Sequence, residues 1–504
     1  MASKCVDAEP GMEPATEQAA AKRPRLSEEV AGSCQATAQA SKTTEGAPRQ
    51  NLAFPDYAVD ANQCFSSIVD AARCAGIYWN PKLVRDAAAP PMGIPGVVTR
   101  EALSDGELLC KVPSHLLLSL ASCKRVMPGV FEACEALPSS DSSRREEAAH
   151  VACLATLLQA ATQRLQTRGA SDDGDSTVPA LWHRCADALL GLRFDEHPYH
   201  TVLTRPEEFG ALLAPSGEMS HIRSSAEYVL TVCGCLRKHV SAEVFSSQIT
   251  DALFLQAWLC LLTREFGTPD GSALVPLVDH FNHVASPGAH QDWDDDSAAV
   301  VIKACRAHAA GEQVCLNYGV PSNPLLFRTY GFTVSPLSEP AWTCTFVEDE
   351  LQQACEATEG SSTELREQLS TLPNIHLDAG GVSDTLAMLL EACALQSGSG
   401  AVGASLLRSL CAERAACYSR DASLSTGPGL WDEASQASSR GKTQEEQNAL
   451  HVKTSEYLCL SAHLAALDIL SGIDVQIDDQ IFERSTGLRD DLRAVQRAGL
   501  LEVK

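Results

Sequence analysis

The sequence has few basic residues and no long apolar run. Of its 504 residues, 39 are Lys or Arg and 65 are Asp or Glu, which gives a formal net charge of -26. Nucleic-acid binding needs cations that neutralise phosphate, so we expect no nucleic-acid partner. No apolar run approaches the roughly 20 residues that span a bilayer, so we expect no membrane segment. The acidic excess is explained either by a basic partner or by solubility.

The sequence also has no Cys-x-x-Cys pair. Its 20 cysteines are scattered, and the closest spacing, Cys233-Gly-Cys235, does not suit a tetrahedral zinc site. The sequence shows no secretory signal, so reduced thiols in the cytoplasm, the nucleus or both are the simplest account. We therefore expect no metal.

What is present divides the chain into three parts. Residues 1–52 are rich in Ala, Ser, Thr, Glu and Gln, which predicts a disordered tail. Its basic cluster Lys22–Arg25 is either a nuclear import signal or a chance cluster. The 45% hydrophobic content can fill proper cores in the remaining chain. We predict one domain over residues 53–335 and a helical domain over residues 336–504.

The first domain combines strands and helices. Phe65, Ile68, Val69 and Ala72 recur at helical spacing before Gly76. Two β-like runs, 97–98 and 108–112, predict a hairpin that turns at 104–106. Helices are predicted at 148–165, 222–240 and 249–266, and another strand pair at 300–302 and 313–316. A block of helices between strands indicates the α+β class.

The last part is predicted to be all-α. Its candidate helices are 384–396, 404–418 and 445–470. Gly398, Gly400 and Gly403 fit the dinucleotide-binding pattern G-x-G-x-x-G, but they follow a helix rather than a strand. A helix–helix connection is therefore the better interpretation.

Two apolar runs end in polar side chains. Ala273–His283 ends in Asp279, Asn282 and His283, and Gln313–Gly319 ends near Tyr318. Strand-like segments of this kind deliver polar groups to a cleft.

These stretches resemble the SET-domain methyltransferases, and in particular the branch of the Rubisco large-subunit lysine methyltransferase. The resemblance rests on Gly96–Pro113, Pro276–His283, Ala310–Gly319 and Tyr330-Gly-Phe332, in that order, and on Gln447–Lys453 in the last domain. It implies small curled β-sheets with a pseudoknot and a helical insert at about 120–266, followed by a substrate-binding helical domain. The implied activity is methyl transfer from S-adenosylmethionine to a lysine of a non-histone protein.

The resemblance also implies roles for single residues. Tyr318 and Tyr330 would be catalytic, although Tyr330 could be a packing residue. Arg264 would bind the cofactor carboxylate, unless it pairs with a surface acid. Asp279 would fix the turn of the asparagine–histidine motif. The complete set of cofactor-site residues is Gly93, Gly96, Arg264, Asp279, Asn282, His283, Tyr318, Tyr330, Gly331 and Phe332.

Two further residues bear on the substrate. Phe266 favours lysine, because an apolar wall suits an aliphatic stem, whereas the actin-histidine branch has Asn there. Trp293 lies among Asp292 and Asp294–Asp296, a loop that either reads a basic protein sequence or is a solvated acidic loop.

The loop at Gly93–Gly96 departs from the family. Pro95 is inserted, and Met92 stands where an acidic residue is common, so a plain turn is an alternative there. This departure keeps open a non-catalytic SET scaffold that serves as an interaction protein. Within the enzyme class, a histidine methyltransferase is the other alternative.

Overall fold

The computed structural model describes residues 52–54, 61–135, 142–167, 179–284, 286–319, 321–336, 339, 341–358, 361–369, 375–420, 442–473 and 479–503. The predicted tail up to residue 51 and its Lys22–Arg25 cluster lie outside them. Leu52, which the tail prediction includes, is buried, and its carbonyl accepts a hydrogen bond from His200 Nε2 (3.1 Å). The packed part of the chain thus includes Leu52.

The part before residue 336 has small strands on either side of a block of helices, as the α+β prediction requires. In chain order its elements are α1 (Ala61–Cys74), β1 (Tyr78–Trp79), β2 (Leu83–Ala89), β3 (Ile94–Thr99), β4 (Leu108–Pro113), β5 (Leu118–Ser119), α2 (Leu120–Val126), α3 (Pro128–Glu135), α4 (Ser142–Thr167), α5 (Ala180–Leu190), α6 (Pro198–Thr204), α7 (Pro206–Leu213), α8 (Glu218–His239), α9 (Asp251–Arg264), β6 (Glu265–Thr268), β7 (Gly271–Leu274), β8 (Asn282–His283), β9 (Ala289–Asp294), β10 (Ala299–Ala304), β11 (Cys315–Leu316) and α10 (Asn323–Tyr330).

The strands form separate small sheets, and two predicted pairings are wrong. The sheets have the orders β1-β4-β10-β9, β2-β3, β5-β7-β6 and β8-β11. The runs at 97–98 and 108–112 therefore do not form a hairpin, since β3 pairs with β2 and β4 with β1 and β10. Likewise β10 does not pair with the 313–316 segment, because β11 runs parallel to β8. Strand periodicity predicts which face is buried, but it does not identify the partner strand.

The helices match their predictions more closely. The predicted helix before Gly76 is α1, whose Phe65, Ile68 and Ala72 side chains are buried. Helices α2 to α9 fill the predicted insert. Helix α9 begins at a Thr250 side chain that accepts the Leu253 N–H, a typical N-cap. It ends at Arg264, so Phe266 lies in strand β6 and not in the helix predicted at 249–266.

The part after residue 336 is mostly helical, with one small sheet that was not predicted. Its elements are β12 (Thr343–Phe346), α11 (Glu348–Ala357), α12 (Thr363–Leu369), β13 (Ile375–Asp378), α13 (Asp384–Ser397), α14 (Gly400–Ser419), α15 (Gln444–Leu470), α16 (Asp479–Arg484) and α17 (Thr486–Arg497). The predicted helices are confirmed as α13, α14 and α15. The all-α description needs a correction, because β12 and β13 pair antiparallel.

The glycine pattern after α13 is a helix–helix connection, as expected. Gly398 ends α13 in the left-handed region, and Ser399 caps α14 through its side chain. No strand precedes these glycines at this place, so the dinucleotide-binding interpretation does not apply.

Helix α15 joins the two parts of the protein. Its Ala449 and Val452 belong to the core of the helical insert, whereas Leu458 and Leu460 belong to the core of the last domain. The Ser455 hydroxyl donates to the buried Glu339 carboxyl (2.6 Å). One continuous helix therefore contributes to two cores.

Neither a membrane-spanning helix nor a metal cluster is found among the described residues. None of the helices found there has the length and apolarity needed to cross a membrane. In the same part of the chain, no group of three or more His, Cys, Asp or Glu side chains could hold a metal ion.

Candidate active site

The parallel pair β8–β11 brings together the two polar-ended segments of the sequence. Cys315 lies opposite Asn282, and Leu316 lies opposite His283. On its other side the closing segment, Gln313–Gly319, contacts β3. There the Val314 N–H donates to the Val97 carbonyl (2.8 Å). The closing segment thus lies between two earlier strands. This position places Tyr318 next to the asparagine–histidine motif.

Two hydrogen bonds fix Tyr318 to that motif. Its backbone N–H donates to His283 Nδ1 (3.0 Å), and its hydroxyl donates to the Phe281 carbonyl (2.7 Å). Because Nδ1 accepts, the proton of a neutral His283 is on Nε2. Because the Tyr318 proton is committed to Phe281, the phenol oxygen can act toward an incoming group only as an acceptor. Asn282, His283 and Tyr318 are called the strand wall below.

Two more rings face the strand wall. Tyr330 ends helix α10, and its ring centroid lies 5.1 Å from that of Tyr318. Phe332 lies 5.9 Å from Tyr330 and 6.2 Å from His283, measured between ring centroids. These spacings are those of interacting aromatic rings. Tyr330, Gly331 and Phe332 are called the helix-end wall.

Gly331 makes the sharp change of direction between the two rings possible. It ends α10 with φ +76°, in the left-handed region that disfavours residues with a Cβ. A Cβ at this position would come within 3.2 Å of the His197 ring. His197 in turn contacts the Thr329 carbonyl through Nε2 (3.2 Å) and accepts the Tyr199 N–H through Nδ1 (3.4 Å).

The glycine loop meets the strand wall at Asn282. The Asn282 side-chain amide donates to the Pro95 carbonyl (2.9 Å), so the inserted proline takes part in the site. A Cβ on Gly96 would lie 2.2 Å from Gln313 Nε2 and 2.6 Å from Asn282 Nδ2, so a larger residue here requires these two side chains to shift. Gly93 has φ +68° and open space around it, and its neighbours Met92 and Ile94 are exposed. The loop is therefore tightly packed at Gly96 and open at Gly93.

Arg264 contacts the turn that precedes the strand wall. Its Nη1 donates to the Asp279 carbonyl (2.9 Å) and to Asp279 Oδ2 (3.0 Å). Asp279 thus pairs with Arg264, and its role in fixing the turn of the motif stays a prediction. His280 Nε2 lies 3.9 Å from Asp279 Oδ1, but burial lowers the pKa of His280 to about 4, so this ring is neutral at pH 7.

An apolar cavity lies beside this ion pair. It is partly open to solvent, and Arg264, Asp279 and His280 lie at its polar end. The rings of the two walls are not among the described residues that line it. The cavity is therefore a neighbour of the two walls, on the side of the Arg264–Asp279 pair.

The two predicted substrate residues differ in exposure. Phe266 is 3% exposed and belongs to the core against which Trp293 and Tyr318 pack. Trp293 is half-buried on β9, opposite Val300. Lys111 pairs with Asp294 beside it (2.7 Å) and lowers the pKa of that carboxyl to about 2. One acid of this loop is thus already neutralised within the chain.

Two residues that support the site were not predicted from the sequence. His197 lies in the helical insert, and Asn448 lies on α15 with its side-chain amide on the Gly331 carbonyl (3.1 Å). His197 is the N-cap residue of α6, and Asn448 is a buried polar residue of α15, so a local pattern does not identify either contact. They lie more than a hundred residues from their partners.

The comparisons with known proteins agree with this geometry. Residues 95–319 match the SET domain family. The N-lysine methyltransferase SETD6 of Bos taurus is 24% identical over 297 residues, or 57% of this chain and 60% of that protein. The match thus spans less than two thirds of this curated relative.

Solved structures share the fold over nearly their whole length. The crystal structure of the SET domain of LSMT bound to lysine and AdoHcy has a TM-score of 0.54 and 15% identity, and the match covers 88% of this chain and 97% of that one. The structure of Rubisco LSMT bound to AdoMet has a TM-score of 0.53 and 16% identity, with coverage of 87% and 97%. The chain therefore contains a segment that matches the SET domain family, and it has the overall fold of the Rubisco LSMT structures.

Proposed function

We propose that this protein transfers a methyl group from S-adenosylmethionine to a lysine side chain of a protein other than a histone. The observation that carries the proposal is the fixed position of Tyr318, which the His283 ring and the Phe281 carbonyl hold opposite Tyr330. The name of the bovine relative and the ligands bound in the structural neighbours support the same reaction.

The residues present fit the proposed cofactor. Its carboxylate needs a cation, and Arg264 is suited because its hydrogen bonds to the described residues use Nη1 alone. The planar guanidinium can therefore offer Nη2 and Nε to a carboxylate. The Asn282 side chain and His283 Nδ1 are already engaged within the protein, so the backbone of β8 would contribute the remaining contacts. When bound, the cofactor supplies a methyl group on a positively charged sulfonium.

The chain's own part in the reaction is to orient and desolvate an amine. A lysine has a reference pKa near 10.4, so at neutral pH its amine is protonated and has no lone pair. An apolar channel favours the neutral form. The Tyr318 oxygen, which can only accept, then holds the amine N–H or the methyl C–H groups in line.

The choice of lysine over histidine rests on Phe266. This buried ring belongs to the apolar core against which Tyr318 and Trp293 pack, and such a core next to the site would suit an aliphatic stem. A hydrogen-bonding wall would suit an imidazole better. A methylated histidine in the modified protein would contradict this part of the proposal.

The proposal also covers partner and location. The net charge of -26 and the acidic residues near Trp293 favour a basic stretch in the substrate protein. The helical domain would capture that protein, in the cytoplasm, the nucleus or both. No nucleic acid or membrane is needed for either step.

Labelled cofactor decides whether the protein is an enzyme. The protein would be incubated with radiolabelled S-adenosylmethionine and a cell extract, followed by mapping of the labelled side chain. We expect a labelled lysine. We also expect Tyr318→Phe to lower the rate by about 100-fold, because the variant lacks the acceptor oxygen that positions the amine. An extract without any labelled protein would sink the proposal.

Calorimetric titration separates the enzyme from a non-catalytic scaffold. We expect the protein to bind S-adenosylhomocysteine, and Arg264→Ala to weaken this affinity by about 10-fold or more. Arg193→Ala is the matched control, since Arg193 makes an exposed pair with Asp195. A protein without measurable affinity for the ligand would instead be a scaffold.

A further inference from the structure

We propose that Asn448, in the C-terminal helical domain, is a positioning residue that holds the helix-end wall of the active site. The domain would then complete the site in addition to capturing substrate. This inference rests on the proposed function, because it concerns the wall on which Tyr330 stands. It follows from contacts that cross between the two parts of the chain.

The Asn448 side chain binds the backbone and side chain just after Tyr330. Its Nδ2 donates to the Gly331 carbonyl (3.1 Å), and its Oδ1 accepts from the Thr333 hydroxyl (3.0 Å) and from Gln444 Nε2 (3.0 Å). Asn448 is 3% exposed. A buried amide with donor and acceptor both satisfied has one preferred orientation, so these bonds define the position of residues 331–333.

His451, one helical turn along α15, completes the contact. Its Nδ1 lies 2.9 Å from the Thr333 hydroxyl oxygen. That hydroxyl has one proton, which it gives to Asn448, so His451 must donate from Nδ1. Burial lowers the pKa of His451, which keeps the ring neutral. Thr333 thus connects two residues of α15 with the segment that carries Phe332.

The same segment is held at its far end by the SET part of the chain. The Asn323 side chain accepts the Val334 N–H (2.8 Å) and donates to the Val334 carbonyl (3.0 Å). On the opposite side, the His197 ring lies against Gly331. Residues 331–334 are therefore held at both ends, with the Phe332 ring between them.

These contacts divide the support of residues 331–334 between α15 and the part of the chain before residue 336. Asn323 and His197 would remain in place if α15 moved, whereas the Gly331 carbonyl and the Thr333 hydroxyl would lose their partners. An unpaired carbonyl would turn toward water, and the rings on either side of Gly331 would turn with it. The Tyr330 and Phe332 rings line the wall opposite Tyr318. Their displacement would therefore lower the rate of methyl transfer more than the affinity for the protein substrate.

The test compares substitutions on α15. Asn448→Ala removes the hydrogen bonds to Gly331, Thr333 and Gln444, and Asn448→Asp keeps the acceptor but sets a carboxylate against the Gly331 carbonyl. Thr454→Ala is the matched control, because Thr454 is also buried on α15 and its hydroxyl bonds only to Leu450 of the same helix. Thr333→Val removes the hydroxyl from the other side.

Amide hydrogen exchange reports on the helix-end wall independently of methyl-transfer activity. In the full-length, cofactor-free protein we expect Asn448→Ala and Asn448→Asp to speed amide exchange across residues 331–334 by about 10-fold or more. We expect Thr454→Ala to change it by less than about 2-fold. Equal exchange in Asn448→Ala and Thr454→Ala would overturn the positioning role, whatever the activity.

Kinetics then separates positioning from capture. We expect Asn448→Ala to lower kcat by about 30-fold and to leave KM for the protein substrate within about 2-fold. Thr333→Val should lower kcat similarly, and the double variant should not be additive, because both remove one contact. A change confined to KM would overturn the inference. An unsubstituted protein that transfers no methyl would instead refute the proposed function.

Discussion

The two walls of the active site are built in different ways. The strand wall is held by bonds between neighbouring segments of one small core, namely Tyr318 to His283 and Phe281, and Asn282 to Pro95. The helix-end wall depends on a left-handed glycine, on His197 from the insert and on Asn448 from the last domain. The strand wall is therefore positioned by segments of the same small core. The helix-end wall is positioned by the packing of the insert and the last domain against that core.

Acid should weaken the helix-end wall. Burial lowers the pKa of His197 to about 4, whereas the unfolded chain titrates near 6.5. Between these values the unfolded chain binds a proton that the folded one does not. The contribution of His197 to the free energy of unfolding is therefore complete above pH 6.5 and lost as the pH falls to about 4. The full loss is on the order of 3 kcal/mol.

Urea unfolding at several pH values checks this expectation. His197→Gln keeps an N–H donor for the Thr329 carbonyl but does not titrate in this range. We expect the free energy of unfolding of the variant to fall less steeply between pH 6.5 and 4. Other buried histidines titrate in both proteins, so the difference reports His197. Parallel curves would show that His197 is protonated without cost.

Removal of the His283 ring should break the strand wall without unfolding the protein. His283→Ala takes the acceptor from the Tyr318 N–H, and we expect kcat to fall by about 100-fold, a barrier increase of about 2.7 kcal/mol. Steady-state kinetics measures the loss. The control is His290→Ala, an exposed histidine on β9. A kcat within a few-fold of the unsubstituted protein would mean that β8 and β11 alone position Tyr318.

Gly96→Ala should loosen the strand wall through overpacking. The new Cβ would meet Gln313 and Asn282, and the shift that relieves this contact should cost about 2 kcal/mol of unfolding free energy. Gly234→Ala is the control, since nothing lies within 4 Å of that position on α8 and alanine is the better helix former. Denaturant unfolding of both variants measures the difference. A neutral Gly96→Ala would show that the loop adapts.

Gly331→Ala should have the smallest effect, confined to the helix-end wall. An alanine with φ +76° costs about 1 kcal/mol, and its methyl would press on the His197 ring. We expect a small loss of stability together with a lowered kcat, because the strain falls between Tyr330 and Phe332. Unfolding and kinetics on the same preparation separate the two. A loss of stability with full activity would place the strain outside the site.

The sequence predicted the helices better than the strand partners. Asp384–Gln396 was predicted and Asp384–Ser397 is observed, because helical bonds and caps are local: Ser383 caps the start and Gly398 ends the helix. Strand β3 was paired with β4 because a turn lies between them, although its partner β2 precedes it and gives only a weak strand signal. Strands β12 and β13 were not predicted, because they too give only a weak strand signal.

The same distinction applies to the site. Asn282, His283 and Tyr318 were predicted from motifs, and the structure brings them together. Their roles toward the cofactor and the substrate stay predictions. His197 and Asn448 were not found, since each acts through a contact that spans more than a hundred residues. A buried polar side chain on a helix is identified only when its partner is known.

The bond from Asn448 to Gly331 has a consequence for the time during which the protein is made. These two residues are 117 positions apart, and synthesis proceeds at about 5–20 residues per second. Every residue of both walls is thus synthesised on the order of 10 seconds before Asn448 of α15 can bind the helix-end wall. During that interval the strand wall can form, whereas the proposed methyl transfer would have to wait for the helix that completes the second wall.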